Sequence, residues 1–401
     1  MTTDPRRLSQ PEFIALIAML FATIAFSIDA MLPALPQIAA ELIPADPNRA
    51  QLILTSFVLG MGLGTFLAGP ISDALGRKPV IVMGAGLYMV GALLAWAAPT
   101  LETVLAARLL QGLGAAGPRV VSLAMVRDLY SGRHMARIMS FAMMIFTLVP
   151  ALAPLAGQGI IALTGWRGIF LAFLVFAVVA TSWLSLRQPE TLAKTARRPL
   201  HPAVLLRAVA EVLTNRQVVM AMVVQTLIFA CLFGTISSTQ QIFDVHFGRG
   251  AEFPLWFALI ALCSGSASLI NAALVVRLGM RFLVSVTLAV EALLTALYAL
   301  TLIAGGLPEG LAFALFVIWA ISVFMMAGLV LGNLNALAME PMGHIAGMAA
   351  SVTGSLATVA SVMIAAPLGL AFDGTPRPLV IGVTALAAAG FVLMRWMPRR
   401  G

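Results

Sequence analysis

The chain has 401 residues, of which 61% are hydrophobic and only 10% are charged. Soluble domains are about half apolar, so this composition, with a mean hydropathy of +1.01, excludes an ordinary soluble protein. The net charge of +8 comes from basic residues spread over many loops, and it therefore does not indicate a nucleic-acid partner.

The cysteines and histidines exclude two further classes. Cys231 and Cys263 both fall within apolar segments, so we expect two buried thiols and no disulfide framework. The four histidines are scattered and lack the spacing of a metal site, so the sequence predicts neither a metal nor another cofactor.

Segments of about 20 mainly apolar residues recur along the whole chain, and each is long enough to cross a hydrocarbon core of roughly 30 Å. Twelve such spans are predicted, at residues 12–33, 51–72, 79–98, 102–125, 138–162, 168–186, 217–243, 254–275, 282–304, 310–335, 345–371 and 378–397. The first is too long for the core of a signal peptide and lacks a small-residue cleavage site, so we expect it to remain as a membrane helix.

The positions of lysine and arginine predict the orientation, because cytoplasmic loops carry an excess of both. With both termini in the cytoplasm, 18 of the 24 basic residues lie inside. Four lie outside and two lie within the membrane: Arg49, Arg167, Arg249 and Arg377, and then Arg108 and Arg119. We therefore predict a multi-pass protein of the bacterial inner membrane with cytoplasmic termini.

Span one carries an acid in its outer half. The sequence SIDAMLPALP places Asp29 four residues before Pro33, which we expect to kink the helix. Phe26 shares a helical face with Asp29. Because acids within the membrane are costly and usually functional, we predict that Asp29 carries the coupling proton and that both residues contact the substrate. The alternative is a structural acid that hydrogen-bonds within the bundle.

The loop between spans two and three begins at Gly69 and reads GPISDALGRKP. We expect Gly69 and Gly76 to permit a tight turn. The charged residues Asp73, Arg77 and Lys78 are expected to stay at the cytoplasmic end and to pair across neighbouring helices. The loop is therefore expected to be a short polar turn on the cytoplasmic side.

Span four begins LAARLLQGLGAAGP, which places Arg108 inside an apolar helix with Gln111 one turn further on. A guanidinium in hydrocarbon costs from a few to more than about 10 kcal/mol, so Arg108 should face the interior and find a partner, for which Asp29 is the candidate. Gln111 is expected to reach the substrate. Gly112 and Gly114 predict close helix packing.

A polar segment divides the spans into two sets of six. We predict an N-terminal six-helix bundle at residues 1–187, a cytoplasmic linker at 188–216 and a C-terminal six-helix bundle at 217–401. A diverged copy of the loop that begins at Gly69 supports a duplicated bundle, because an offset of 203 residues aligns Gly76 with Gly279.

Two stripes in the second half are candidates for the substrate cavity. Span seven aligns Gln225, Phe229 and Phe233 on one face, and Trp319 begins a similar stripe in span ten. An apolar cavity with a few polar groups suits lipophilic compounds, whereas the alternative is plain helix packing. Glu291 in span nine is predicted to make a buried structural pairing and not to carry protons.

Together these motifs give the chain a resemblance to the major facilitator superfamily over essentially its whole length. GPISDALGRKP resembles the family's signature between helices two and three, and ARLLQGLGAAG resembles its helix-four signature, which is characteristic of proton-coupled members. With SIDAMLPALP and MVRDLYSGR, the chain is similar to the bicyclomycin/chloramphenicol-resistance (Bcr/CflA) type of drug:proton antiporter.

The resemblance implies an all-α membrane protein with twelve transmembrane helices in two six-helix bundles around a central cavity that opens to each side in turn. It implies that the loop from Gly69 to Lys78 is a conformational latch, in which Asp73 engages Arg127 and the start of span eleven, around residues 344–347. It also implies that Arg108 takes part in proton transfer with a membrane acid, here Asp29.

The chain departs from the expected pattern at three places. Arg119 lies about three turns after Arg108 in span four, where an apolar residue is expected; it either extends the charge path or snorkels to the cytoplasmic interface, and we favour snorkelling. Ala74 replaces the basic residue that usually follows the Asp73 position, which weakens the expected latch. In the antiport signature of helix five, Ala153 stands where a glycine is expected, whereas Pro154 and Gly157 match. We therefore expect Pro154 to contribute to the substrate site.

These observations predict a monomeric secondary transporter that exports small lipophilic drugs, such as chloramphenicol-like compounds, in exchange for protons. No GxxxxGK[ST] motif occurs in the sequence, so an ion gradient should drive transport. A major-facilitator transporter of a sugar, siderophore or nucleoside fits one acid and one arginine equally well. A polytopic membrane enzyme or a channel is a remote alternative, because the sequence lacks convergent catalytic groups and a filter segment.

Overall fold

The computed structural model describes residues 8–197 and 199–398, and these residues form 14 α-helices. The helices are α1 (Gln10–Asp29), α2 (Leu35–Leu42), α3 (Leu52–Leu75), α4 (Arg77–Trp96), α5 (Leu101–Leu129), α6 (Gly132–Thr164), α7 (Arg167–Arg187), α8 (Pro202–Thr214), α9 (Arg216–Gln241), α10 (Phe253–Leu278), α11 (Met280–Ala304), α12 (Glu309–Met339), α13 (Ala346–Leu370) and α14 (Arg377–Trp396).

Every helix except α2 and α8 contains 20 residues or more, and each long helix overlaps one predicted span. In the described chain ten stretches are long and apolar enough to cross a membrane, and one of them, Glu309–Leu370, contains both α12 and α13. A shorter apolar stretch, Leu148–Thr164, belongs to α6. The prediction of twelve transmembrane helices is confirmed. Several helices are longer than the apolar spans predicted from the sequence, because backbone hydrogen bonding continues through polar residues at their ends.

The helices form two compact units, described separately below. Unit 1 comprises Met1–Gln37 and Ser56–Leu205, and unit 2 comprises Ile38–Thr55 and Leu206–Gly401. The units differ from the predicted bundles in one main respect, because the segment Ile38–Thr55 packs with unit 2 although it lies in the first half of the sequence. The predicted linker is partly helical, since α8 lies within it.

In unit 1, α4 packs on α5 and α7, and α1 packs on α5, α6 and α7. Glycines bring α5 to its neighbours at backbone distance. A Cβ at Gly112 would collide with the Phe57 carbonyl of α3, and one at Gly114 would collide with the Gly84 carbonyl of α4. The predicted close packing of these glycines is confirmed, and it places Arg108, one turn before Gly112, in the interior of the unit.

In unit 2, α9 packs on α12, α13 and α14, α11 packs on α12 and α14, and α10 packs on α12. Phe243 makes edge contacts with the rings of Phe253, Phe313 and Phe316. Cys231 is buried on α9 as expected, but Cys263 is exposed. The expectation of two buried thiols was wrong for Cys263 because α10 buries few of its side chains.

Each unit contains a corner of a single residue between two long helices. Gly76 joins α3 to α4 with φ +111°, and Gly279 joins α10 to α11 with φ +80°. Glycine is favoured at both corners because other residues are strained at positive φ. The shared corner geometry supports the predicted duplication.

Candidate functional site

The centre of unit 1 is the fully buried guanidinium of Arg108 on α5. Its Nη1 donates to Gln111 Oε1 at 2.6 Å, and its Nη2 donates to the Ser27 carbonyl of α1 at 2.9 Å. The guanidinium also lies 4.4 Å from the centre of the Phe57 ring and 5.8 Å from that of Phe173. These contacts stabilise a cation away from water.

The Ser27 carbonyl is available to Arg108 because of where α1 ends. The helix terminates at Asp29, and the last carbonyls of a helix have no intrahelical donor. A cation at this end also interacts favourably with the helix dipole. The arginine therefore caps α1, which the sequence did not reveal because the predicted span continued to Pro33.

Tyr88 extends the buried network and was not predicted as a functional residue. Its hydroxyl lies 2.5 Å from Ser27 Oγ, and Ser27 Oγ donates to the Thr23 carbonyl at 2.6 Å. Tyr88 is 2% exposed on α4. A single phenol in the otherwise apolar third span was the available sequence signal, because a buried hydroxyl needs a hydrogen-bond partner.

Asp29 is the last residue of α1 and is 4% exposed. Within the described residues its carboxylate makes no hydrogen bond or ion pair. The expected direct pairing with Arg108 is therefore absent, and Arg108 binds the backbone two residues earlier. A negative charge at a helix C-terminus is disfavoured by the dipole, and burial disfavours it further. Both effects favour a protonated carboxyl.

The groups around Asp29 include two of the predicted substrate residues. Phe26 is half-buried, and its ring centre lies 5.4 Å from those of Phe173 and Phe176 of α7. On α6 Pro154 is buried, and a Cβ at Gly157 would collide with the Ala30 carbonyl. The glycine of the half-matched antiport signature thus lets α6 contact the end of α1 beside the acid.

Gln111 offers an unused donor in the same network. Its side chain is fully buried, its Oε1 accepts from Arg108, and its Nε2 has no hydrogen-bond partner within the described residues. A buried amide donor without a partner costs about 1–3 kcal/mol. The Gln111 side chain also lies close to the Tyr88 hydroxyl, so it belongs to the buried network, and its contact with the substrate stays a prediction.

The predicted substrate residues of α9 pack together in unit 2. Phe229 and Phe233 stack with ring centres 5.6 Å apart. Gln225 donates from Nε2 to Asn335 Oδ1 at 3.1 Å, whereas its buried Oε1 has no partner within the described part of the chain. This face of α9 is aromatic and retains one free acceptor.

Trp319 is placed differently from the expected cavity lining. It is 3% exposed, and its Nε1 donates to Thr295 Oγ1 of α11 at 3.3 Å. Its ring also contacts Tyr298 and Phe316. Trp319 therefore faces α11, which favours the helix-packing alternative for this residue.

In the Gly69 loop, Asp73 pairs with Arg77 and not with Arg127. Nη1 of Arg77 lies 2.5 Å from Asp73 Oδ1, and its Nε lies 2.9 Å from Asp128 Oδ2 of α5. Arg127 is exposed. Successive helical residues point about 100° apart, so only Asp128 of this neighbouring pair faces the loop.

Other loop residues also have roles that the sequence left open. Gly69 lies inside α3, where its carbonyl accepts a hydrogen bond from Ser72 Oγ, so only Gly76 makes the turn. The expected need for two glycines in the turn does not hold, because α3 continues through Pro70. Lys78 Nζ donates to the Ser185 carbonyl in the last turn of α7 at 2.7 Å.

Glu190 of the linker caps α4. Its two carboxylate oxygens accept from the backbone nitrogens of Arg77 and Lys78 at 3.0 and 3.1 Å. Carboxylates stabilise helix N-termini because the first backbone N–H groups lack intrahelical acceptors. The loop, the end of α5 and the linker thus form one polar cluster.

The two corner glycines provide a matched test of this cap. We expect Gly279→Ala to lower the free energy of unfolding by about 1–3 kcal/mol, since only backbone strain opposes it. Gly76→Ala should cost about 0.5–2 kcal/mol more, because its Cβ would displace the Glu190 carboxylate. Denaturation of both purified variants measures the difference, and an equal loss in the two would contradict the cap.

The geometry defines a multi-pass membrane transporter with a buried polar centre in a helical unit. Among the described residues no group of three His, Cys, Asp or Glu side chains could hold a metal ion. The family model described as the Major Facilitator Superfamily matches residues 15–367. The chain belongs to this family of transporters, carries a small-molecule substrate, and is not an enzyme.

Relatives and solved structures agree with this assignment. The chain is 28% identical over 404 residues to the "Bicyclomycin resistance protein homolog" of Haemophilus influenzae, covering 97% of this chain and 98% of that protein. It is 31% identical over 246 residues to "Multidrug resistance protein MdtL" of Escherichia coli K12, covering 60% and 61%. A D-xylose-proton symporter shares the fold, with a TM-score of 0.72, 14% identity and coverage of 97% and 98%.

Proposed function

We propose that this transporter is a proton-coupled antiporter that exports small lipophilic compounds, including chloramphenicol-like drugs, as a monomer of the inner membrane with cytoplasmic termini. The observation that carries the proposal is Asp29, a buried carboxyl at the end of α1 that pairs with no cation among the described residues. The names of two relatives, a bicyclomycin resistance protein homolog and a multidrug resistance protein, support the substrate class.

Coupling follows from the two protonation states of Asp29. The neutral acid is compatible with its buried site, whereas the carboxylate needs water or a ligand donor. The proton therefore leaves when the site opens to the side of low proton concentration, and substrate occupies the site there. Protonation from the other side restores the neutral acid and displaces the substrate.

The Arg108 network supports this cycle by holding the end of α1. The guanidinium binds the Ser27 carbonyl, two residues before Asp29. Because the arginine is not paired with the acid, it does not lock the carboxyl in its ionised form. In this proposal the Gly69 loop is the latch. Its Arg77 binds Asp73 within the loop and Asp128 of α5, and Asp128 takes the place expected for Arg127.

A chain of amides in unit 2 is the candidate for the element that changes during transport. Ser238 Oγ donates to Gln51 Oε1 at 3.0 Å, and Gln51 Nε2 donates to Gln241 Oε1 at 2.6 Å. Gln241 Nε2 donates to Asn48 Oδ1 at 2.7 Å, and Asn48 Nδ2 donates to the Phe372 carbonyl at 2.8 Å. Such chains polarise one another and act cooperatively.

We expect Gln51→Leu to loosen the segment 43–51. The change removes the central link of the chain, so backbone amides of the segment should exchange with deuterium several-fold faster. The matched control is Gln217→Leu, which removes bonds to the Leu337 carbonyl and to Glu340 near the start of α9. Faster exchange in both variants, or in neither, would contradict a local lock.

Transport by purified protein in proteoliposomes tests the proposed function. Chloramphenicol is expected to drive proton movement across the bilayer in the direction opposite to its own, reported by an enclosed pH-sensitive dye. D-Xylose and a nucleoside serve as competing candidates. If neither chloramphenicol nor any drug of a wider panel moves protons, and the protein takes up a sugar, drug antiport is rejected.

A further inference from the structure

Unit 2 contains a second buried carboxyl, Glu291, which the proposed cycle does not use. It lies at the middle of α11 and is 3% exposed. Within the described residues no Lys, Arg or His pairs with it, and its hydrogen bonds come from hydroxyl groups. An ionised carboxylate without a cation is strongly disfavoured in such a site, so the buried form of Glu291 favours a bound proton.

Both hydroxyl contacts reach the same oxygen. Thr295 Oγ1 lies 3.1 Å and Ser322 Oγ lies 3.2 Å from Glu291 Oε1. The other oxygen, Oε2, makes no hydrogen bond within the described residues. Oε2 is therefore the free position for a proton, while Oε1 keeps its acceptor role in either protonation state.

The Ser322 hydroxyl has two possible acceptors but only one hydrogen to donate. Besides Glu291 Oε1, it lies 2.8 Å from the Trp319 carbonyl. An ionised Glu291 would draw this hydrogen to the carboxylate, whereas a protonated one would leave it on the backbone. The site thus offers two hydrogen-bond arrangements, which differ in whether the Ser322 hydroxyl donates to Glu291 or to the Trp319 carbonyl.

Thr295 is oriented toward the acid by its other contact. The indole Nε1 of Trp319 donates to Thr295 Oγ1 at 3.3 Å, so the threonine oxygen accepts from the indole and directs its own hydrogen to Glu291. Thr295 is fully buried. This arrangement explains why Trp319, expected in a substrate cavity, instead faces α11.

Few titratable groups surround Glu291. The Cys231 thiol of α9 lies within electrostatic range of the Glu291 carboxyl. Tyr298 lies two turns further along the same face of α11. α12 presents Ser322 and Trp319. The charged residues of α10, α12 and α14 stand at their ends, at Arg277, Glu309, Arg377 and Arg395. On α11 itself Arg281 stands in the first turn. Among the described residues no fixed charge therefore replaces a proton on Glu291.

Glu291 also occupies a position that repeats in the sequence. The offset of 203 residues that aligns the two corner glycines sets Tyr88 against Glu291. Tyr88 belongs to the Arg108 network of unit 1. Each unit thus holds a buried polar centre at the equivalent level of equivalent helices, α4 and α11, and an ionisable group forms part of both.

We propose that Glu291 is a second proton-binding site of this transporter, protonated on Oε2 when enclosed as it is here and ionised when the transport cycle admits water. Its place in the cycle rests on the proposed antiport. The proton comes from water and returns to water, so the step needs no other reactant. A side chain that is 3% exposed and bonded on one oxygen admits a proton, whereas an organic cation would not fit.

Infrared difference spectroscopy of the protein in lipid, between acidic and alkaline buffer, tests the proposal without a substrate. Glu291→Gln should remove one component of the carboxylic acid C=O band, and Ser322→Ala should shift that component. Asp29→Asn and Glu309→Gln are the matched controls and should leave it in place. A Glu291→Gln spectrum that superimposes on that of the wild type would overturn the proposal.

Transport adds an independent readout. With chloramphenicol as the probe, Glu291→Gln is expected to lower the number of protons exchanged per molecule by one. If Glu291→Gln abolishes the binding of tetraphenylphosphonium and leaves the carboxylic acid band unchanged, Glu291 binds an organic cation instead of a proton, and the proposal is overturned. If no drug moves protons, the proposed antiport fails, but the acid band still decides whether Glu291 titrates. Glu291→Asp, which keeps the acid, should restore a shifted band if the glutamine variant folds poorly.

Discussion

Replacing Arg108 with lysine is expected to reduce transport to background while leaving a folded protein. A single ammonium cannot reach both the Ser27 carbonyl and Gln111 Oε1 in the fork geometry of the guanidinium, nor cover the Phe57 ring with a planar face. The loss should amount to about 1.5–3 kcal/mol of stability, the typical contribution of a hydrogen bond to a charged group. The end of α1 then loses its cap, and Asp29 beside it loses its fixed position.

Arg119→Lys is the matched control in the same helix. Arg119 is half-buried, and its Nη1 contacts the Met61 sulfur at 3.6 Å, which is a weak acceptor. Its replacement should therefore cost less than that of Arg108. Thermal unfolding in detergent and substrate counterflow in proteoliposomes measure the two effects. Normal counterflow in Arg108→Lys would show that the cap on α1 is dispensable.

Asp29→Asn is expected to remove the Asp29 proton from the exchange and to weaken accumulation of the substrate. Asparagine has nearly the same size as the neutral acid, so the fold should be unaffected, but it cannot release a proton. A gradient of one pH unit is worth about 1.4 kcal/mol per proton, so each exchanged proton should sustain a concentration ratio of about tenfold in the wild type. The variant should lose the ratio of about tenfold that the Asp29 proton contributes.

The exposed Asp46 provides the control for this experiment. Asp46→Asn makes the same chemical change close by in the sequence and should retain accumulation and proton release. Both quantities are measured with an imposed pH gradient and an enclosed pH dye. Accumulation that persists unchanged in Asp29→Asn would move the coupling role to another acid, for which Glu291 is the first candidate.

The separation of Asp29 from Arg108 has a functional reason in this account. A direct ion pair would stabilise the carboxylate and hold it ionised throughout the cycle. In the structure the guanidinium binds the backbone at Ser27 and the amide of Gln111, so it fixes the position of the acid without fixing its charge. The acid remains free to exchange its proton.

Several local features follow directly from residue type. The glycines of α5 permit backbone contact wherever they occur on a packed face, so the close approach at Gly112 and Gly114 was predictable. The positive φ of Gly76 and Gly279 was also foreseeable, because a turn of one residue between two helices requires it. These features depend on neighbours in the sequence or on the absence of a side chain.

Partner choice was less predictable. Asp73 was expected to bind Arg127, but it binds Arg77, and Asp128 takes the other side of that guanidinium. Trp319 was expected at a cavity, but it packs on α11. In both cases the rotation of a helix about its own axis selects the contact. A periodic pattern defines a stripe but not the neighbour that it faces.

The sequence by itself determined the number and approximate limits of the membrane helices, because a bilayer of fixed thickness requires apolar runs of fixed length. It also determined that Asp29 and Arg108 are buried. Only the tertiary structure decided that Arg108 caps the end of α1, that Gln51 joins an amide chain in unit 2, and that Glu291 stands among hydroxyl groups. Those contacts join residues distant in sequence, and they depend on where helices end and how they are rotated when they pack.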